Sequence, residues 1–198
     1  WAASFILFDG KMRGLFSLLF GASTALVIER ATAGGQSAAK VHFSRMFWLG
    51  LFGLAHFYLI WFGDILFLYA GAGCALFLFR NWTAERLIKW GLITYILGAI
   101  LLIAGMATMI HAQWLAGLPG ASAETVDEVR KILKEIGGRP EDVVRETAVF
   151  RGSYVQILQD RLEFKAFMPV ENLILAPIET IPLMMIGMGL YKSGFLTG

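Results

Sequence analysis

The chain has 198 residues, 57% of them hydrophobic and 16% charged, with a mean hydropathy of +0.65; such a balance favours an integral membrane protein and leaves little for a separate soluble core. A formal charge of +2 with no dense basic cluster excludes nucleic acid as a partner. The one cysteine, Cys74, excludes an internal disulfide and a cysteine metal cage.

The chain opens at Trp1 without the n-region and h-region of a signal peptide, as expected of a piece of a longer protein. A first membrane crossing is expected over residues 14–28, with Met12 and a snorkelling Arg13 completing a short span. Gly21 and Ala25 form a small-xxx-small pair that admits a close neighbour. Glu29-Arg30 ends the span, and Gly34-Gly35 marks a turn before Lys40, His42 and Arg45.

Residues 46–79 are the most apolar stretch, with Asp64 as their only charge. Roughly 20 helical residues cross a bilayer, so this run suits a hairpin of two crossings. The break falls at Trp61-Phe62-Gly63-Asp64, because aromatic rings favour the interface and a carboxylate is costly at the bilayer centre. Cys74, in the Gly/Ala-rich second arm, reads as a small packing residue. Arg80 closes the hairpin, Thr83 reads as an N-cap, and residues 90–110 form another uncharged crossing. Thr94 and Thr108 there can bond back to their own helix.

Residues 111–168 are soluble in character, with eight Lys/Arg and nine Asp/Glu. An amphipathic helix is expected over 121–136, with a capping-box spacing at Thr125 and Glu128 and a stripe of Val126, Val129, Ile132, Leu133 and Ile136. Gly137-Gly138 ends it. Pro140 opens a second helix, with Glu141 and Arg145 four apart, and a third runs from Ser153 towards Phe167. The last crossing spans residues 170–191 and holds Glu171, Pro177, Glu179 and Pro182.

The expected fold is an all-α, polytopic membrane bundle with about five crossings. Residues 1–110 form membrane helices, 111–168 an extracytoplasmic helical insertion, and 169–198 the final membrane helix. Arg30, Lys40 and Arg45 in one connection and Arg80, Arg86 and Lys89 in another make both cytoplasmic by the positive-inside rule. The Gly63-Asp64 tip and the insertion then lie outside, as does Trp1; Lys11 and Arg13 are a mild exception.

Few residues could carry chemistry. His56 lies mid-span, where an ionisable group faces the bundle interior or a wet cavity. It reads either as a neutral packing histidine or as a general base or proton carrier. Asp64 reads as its partner or as the cap of the second arm. Glu179, between Pro177 and Pro182, reads as a cavity lining or as the partner of a basic residue. Glu171 and His111 read as interfacial, and His42 as polar decoration of a cytoplasmic loop. Walker, GxSxG, HExxH and Cys/His metal patterns are absent, so no metal site and no bound cofactor are expected.

The order of segments carries a resemblance. KMRGLFSLLFG at 11–21 is followed by Glu29-Arg30, then by Arg45, GLAH at 53–56, GDIL at 63–66, Tyr69-Ala70-Gly71, and MIGMGLYKSG at 185–194. This resembles the YeiB-like bacterial inner-membrane proteins, a family of unknown function whose members extend further at both ends and so supply further membrane helices. That family distantly resembles membrane acyltransferases of the heparan-glucosaminide N-acetyltransferase kind. The resemblance implies a multi-pass inner-membrane protein that passes an acyl group from a cytoplasmic donor, such as acyl-CoA, to an envelope glycan or lipid. The catalytic histidine of those enzymes lies upstream of Trp1, so the resemblance gives His56 no role. With His56 as base or relay, Asp64 would orient it and Arg13 or Arg45 would contact an anion. The alternatives are a permease-like protein with His56, Asp64 and Glu179 lining a pathway, and a structural membrane component.

Overall fold

The computed structural model describes residues 10–118, 122–136 and 140–196, and among these every regular element is helical. The helices are α1 (Gly10–Ala33), α2 (Ala38–Leu59), α3 (Leu66–Leu76, continued by a 3-10 turn Phe77–Phe79), α4 (Ala84–Ala116), α5 (Ala123–Ile136), α6 (Pro140–Phe150), α7 (Tyr154–Phe164), α8 (Met168–Leu175) and α9 (Thr180–Lys192). They fall into two compact units, Trp1–Ala99 with Ala166–Gly198, and Ile100–Lys165; the boundary lies within α4.

The first unit is built on close helix crossings through glycine. Gly21 of α1 sits against the backbone of Met184, and Gly187 of α9 against the backbone of Leu18. Without hydrophobic drive between helices in lipid, such backbone approach is what dispersion and packing require. The two helices run parallel, since Arg13 meets Glu179 at one end and Glu29 meets Tyr191 at the other. α2 and α3 run antiparallel: Gly53 faces the backbone of Phe67, Gly50 faces Ala70, and Gly73 faces the Met46 sulfur. Gly91 and Gly98 of α4 admit Ile186 and Ile178, while Gly189 meets Ala84 and Ile88, so α4 opposes α9. Tyr69, Leu76, Leu87, Met184 and Met188 fill the core between them.

These directions gather Arg30, Lys40, Arg80, Arg86, Lys89 and Lys192 at one end of the unit. The α2–α3 tip, Arg13 and Glu179 lie at the other. His42, expected as loop decoration, is instead a fully buried residue of α2. Its Nε2 lies 3.0 Å from the Gly73 carbonyl and its ring stacks on Phe77. The α2–α3 packing has enclosed it, because its position faces the partner helix.

Two helices, Lys11–Ala33 and Ala84–Ala116, are long and apolar enough to cross a membrane, and three spans result if the bent pair α8–α9 counts as one. That is fewer than the five expected. The second hairpin arm, Leu66–Phe79, reaches only about 21 Å at 1.5 Å per residue, and α2 carries Lys40, His42, Arg45 and His56 along its length. The crossing expected over 90–110 is longer at both ends, and that over 170–191 is two helices bent by 59°. Pro177 lies in the break, where a missing N–H ends α8. Along α4, Ile100, Leu101, Ile103, Met106 and Ile110 are all exposed, a display that suits lipid and would be costly in water.

In the second unit, α6 and α7 pack together. Arg145 contacts Asp160 at 2.6 Å and lies over the Phe164 ring, and Lys165 contacts Glu146 at 2.7 Å. Ser153 and Gln156 form a capping box that starts α7. Thr125 lies inside α5, which begins at Ala123, and so is not its cap; its side chain and those of Leu133, Ile136 and Glu141, and Gly137-Gly138, lie outside the described residues.

Candidate functional site

The tip of the hairpin brings His56 and Asp64 together. His56 lies in the last turn of α2, and its carbonyl accepts from both Ile60 and Trp61 N–H at 2.9 Å. The chain then reverses through Phe62-Gly63. A Cβ on Gly63 would fall 2.5–2.9 Å from the Trp61 indole, so the ring can close over the turn only because this residue is glycine. This short return places the Asp64 carboxylate between two groups. Oδ2 accepts from the N–H of Leu66 and Phe67 at 2.9 and 3.2 Å, so Asp64, one residue before the N-cap Ile65, satisfies the first two N–H groups of α3. Oδ1 stands 2.9 Å from His56 Nδ1. The Nδ1–H direction lies off this line, so the contact is a close approach and not an aligned hydrogen bond.

Burial divides the roles. The Asp64 side chain is 3% exposed and the His56 side chain 33%. The carboxylate is held from three sides, and the imidazole keeps an open edge. A carboxylate behind one ring nitrogen orients the histidine and leaves the other nitrogen for proton transfer.

The other candidates lie apart. Arg13 is paired directly with Glu179 at the α8–α9 break, with side chains 50% and 31% exposed. Arg45 stands eleven residues before His56 on α2, about 16 Å down the helix axis. His111 stacks on Trp114 and Glu171 is exposed. Among the described residues no group of three His, Cys, Asp or Glu could hold a metal.

One buried polar cluster escapes sequence reading. Ser17 Oγ lies 2.6 Å from the Tyr69 hydroxyl and donates to the Arg13 carbonyl, tying α1 to α3 directly beneath the Arg13–Glu179 pair. The signal is the helical spacing of small residues Gly14, Ser17, Gly21 and Thr24, a face too small to pack against lipid alone.

Fold and site define an all-helical protein with apolar helices suited to a bilayer and a histidine–carboxylate pair at one end. Over 86 residues the chain is 41% identical to an uncharacterized protein, YxaH, of Bacillus subtilis (strain 168); the stretch covers 43% of this chain and 21% of that protein. No protein-family model matches the chain, and no solved structure does.

Proposed function

We propose that this chain is part of a multi-pass bacterial inner-membrane protein of the YeiB-like kind that acylates an extracytoplasmic acceptor. α1, both hairpin arms, α4 and the bent α8–α9 pair would make the five crossings, the short arm completed by locally thinned lipid or by neighbouring helices. The observation that carries the reading is the 2.9 Å contact between His56 and the buried Asp64. In this reading His56 Nε2 takes the proton of an acceptor hydroxyl as its oxygen bonds the acyl carbon. The donor's C–S bond breaks and the departing thiolate receives that proton. Asp64 holds the ring and offsets the charge of the imidazolium. The basic end, Arg45 included, faces a cytoplasmic acyl-CoA, whose phosphates are anionic; Arg13 stands at the acceptor side. A glycan or lipid of the envelope supplies the hydroxyl.

A permease-like reading draws on a different observation, the 59° break at Glu179, since broken helices line substrate pathways in transporters. Label transfer from acetyl-CoA or a longer acyl-CoA to envelope acceptors, in membranes holding the full-length protein, separates the two. Transfer lost in His56→Ala at matched abundance supports acylation through this pair. Unchanged transfer in the variant returns His56 to packing. No transfer from any donor, with substrate uptake lost in Glu179→Gln, favours the permease.

A further inference from the structure

At the basic end of the first unit, α1, α9 and Arg80 line an open cavity of about 530 Å³. Its polar wall is made by Glu29, Arg80, Tyr191 and Lys192, and its apolar wall includes Ala25 and Met188. Each polar group is placed by the fold. Arg80 follows the 3-10 turn, its guanidinium lies 4.1 Å above the Phe77 ring, and one of its five donors goes to the Phe77 carbonyl at 3.1 Å. Lys192, in the last turn of α9, donates to the carbonyls of Arg80 and Trp82 and keeps one N–H. Tyr191 donates to Glu29 at 2.8 Å, which fixes the carboxylate at the cavity. Among the described residues no carboxylate pairs with Arg80 or Lys192, and no Lys or Arg pairs with Glu29.

Among the described residues the cavity thus has two cations without a carboxylate partner and one carboxylate without a cation partner, and its place along the helices matters. The apolar run of α1 ends at Ile28 and that of α9 at Tyr191, so the charges stand where hydrocarbon gives way to water. A purely anionic guest would share the cavity with the Glu29 carboxylate. A guest with a phosphate and an ammonium satisfies both kinds of charge, and an acyl chain would leave the cavity past Ile28. The geometry points to a binding site for a phospholipid with a primary-ammonium headgroup, its phosphate on Arg80 and Lys192 and its ammonium on Glu29. The inference rests on reading this unit as membrane-embedded with its basic end cytoplasmic. It is independent of the chemistry at His56.

The test is native mass spectrometry of the delipidated full-length protein in detergent, titrated with phosphatidylethanolamine, phosphatidylcholine or phosphatidylglycerol of matched chains. Phosphatidylethanolamine should bind about fivefold more tightly than either, because only it brings N–H donors to Glu29. Glu29→Gln should abolish that preference, and Arg80→Gln should weaken all three lipids. Tyr191→Phe, which keeps every charge, should retain the preference and serves if Glu29→Gln does not fold. Equal binding of phosphatidylcholine and phosphatidylethanolamine by the wild type, or a preference that survives Glu29→Gln, overturns the assignment. Soluble phosphoethanolamine that competes as well as the lipid would overturn the lipid while keeping the headgroup chemistry. A protein that stays in solution without detergent would refute the membrane reading itself.

Discussion

Asp64 serves a helix and a histidine at once, and the two services can be separated by substitution. Asp64→Ala removes the acceptor of the Leu66 and Phe67 N–H groups in a spot where the side chain is 3% exposed. Loss of an N-cap costs about 1 kcal/mol, and a second N–H left without a partner adds about 1–2 kcal/mol, for a total of about 2–3 kcal/mol. His56→Ala leaves both N–H bonds intact and removes only a polar contact to a ring that is 33% exposed, which solvent screening holds below about 1 kcal/mol. Asp64→Asn keeps a capping oxygen and should fall between the two. Denaturant unfolding in detergent, followed by helical circular dichroism, gives the three values. Equal losses in Asp64→Ala and His56→Ala would refute the reasoning, since the carboxylate would then be held chiefly by the histidine and not by the helix. Under the proposed activity, Asp64→Asn should lower transfer by about 10²-fold or more while leaving the protein folded.

Gly21→Ala and Gly187→Ala each set a methyl against the backbone at the α1–α9 crossing and should cost at least about 2 kcal/mol; the double variant should cost less than the sum, because one separation of the helices relieves both clashes. Unfolding midpoints of the two single variants and the double variant check this. Tyr69→Phe removes the buried hydroxyl bonded to Ser17 and should cost about 1 kcal/mol, with Ser17→Ala adding little in that background by the same unfolding assay. Arg145→Met leaves Asp160, 9% exposed, without its cation, and should destabilise the second unit by about 2 kcal/mol, seen as early loss of amide protection in α6 and α7. In a Cys74→Ala background, an impermeant thiol reagent should label Ser153→Cys in intact cells and Gln36→Cys only after permeabilisation; the reverse pattern would invert the topology.

Helix chemistry with local causes was legible in advance. Thr83 caps α4 by accepting from Arg86 N–H, Thr94 and Thr108 bond back along their own helix, and Pro140 opens α6. Each depends on residues within four positions. His42 was not legible, because whether a histidine near a basic loop meets water or a neighbouring carbonyl depends on Gly73, thirty-one residues away. The Ser17–Tyr69 link, fifty-two residues apart, was hidden for the same reason. The length of α4 was underestimated because a hydropathy run stops at His111, while backbone hydrogen bonds continue to Ala116.

The all-helical character, the apolar spans and the clustering of Lys and Arg in particular connections are properties of the sequence by itself. They arise from composition summed over a short window, where transfer free energy and helix propensity act without reference to partners. The tertiary structure decided which polar groups those helices hide and which they present. His56 and Asp64 could be named as candidates from their cost in a membrane. Only the Gly63 turn under the Trp61 ring sets them 2.9 Å apart, and only the α1–α9 crossing joins Arg13 to Glu179 across 166 residues. A charge in an apolar helix announces that it needs a partner; the close approach of backbones at glycine determines which partner it finds.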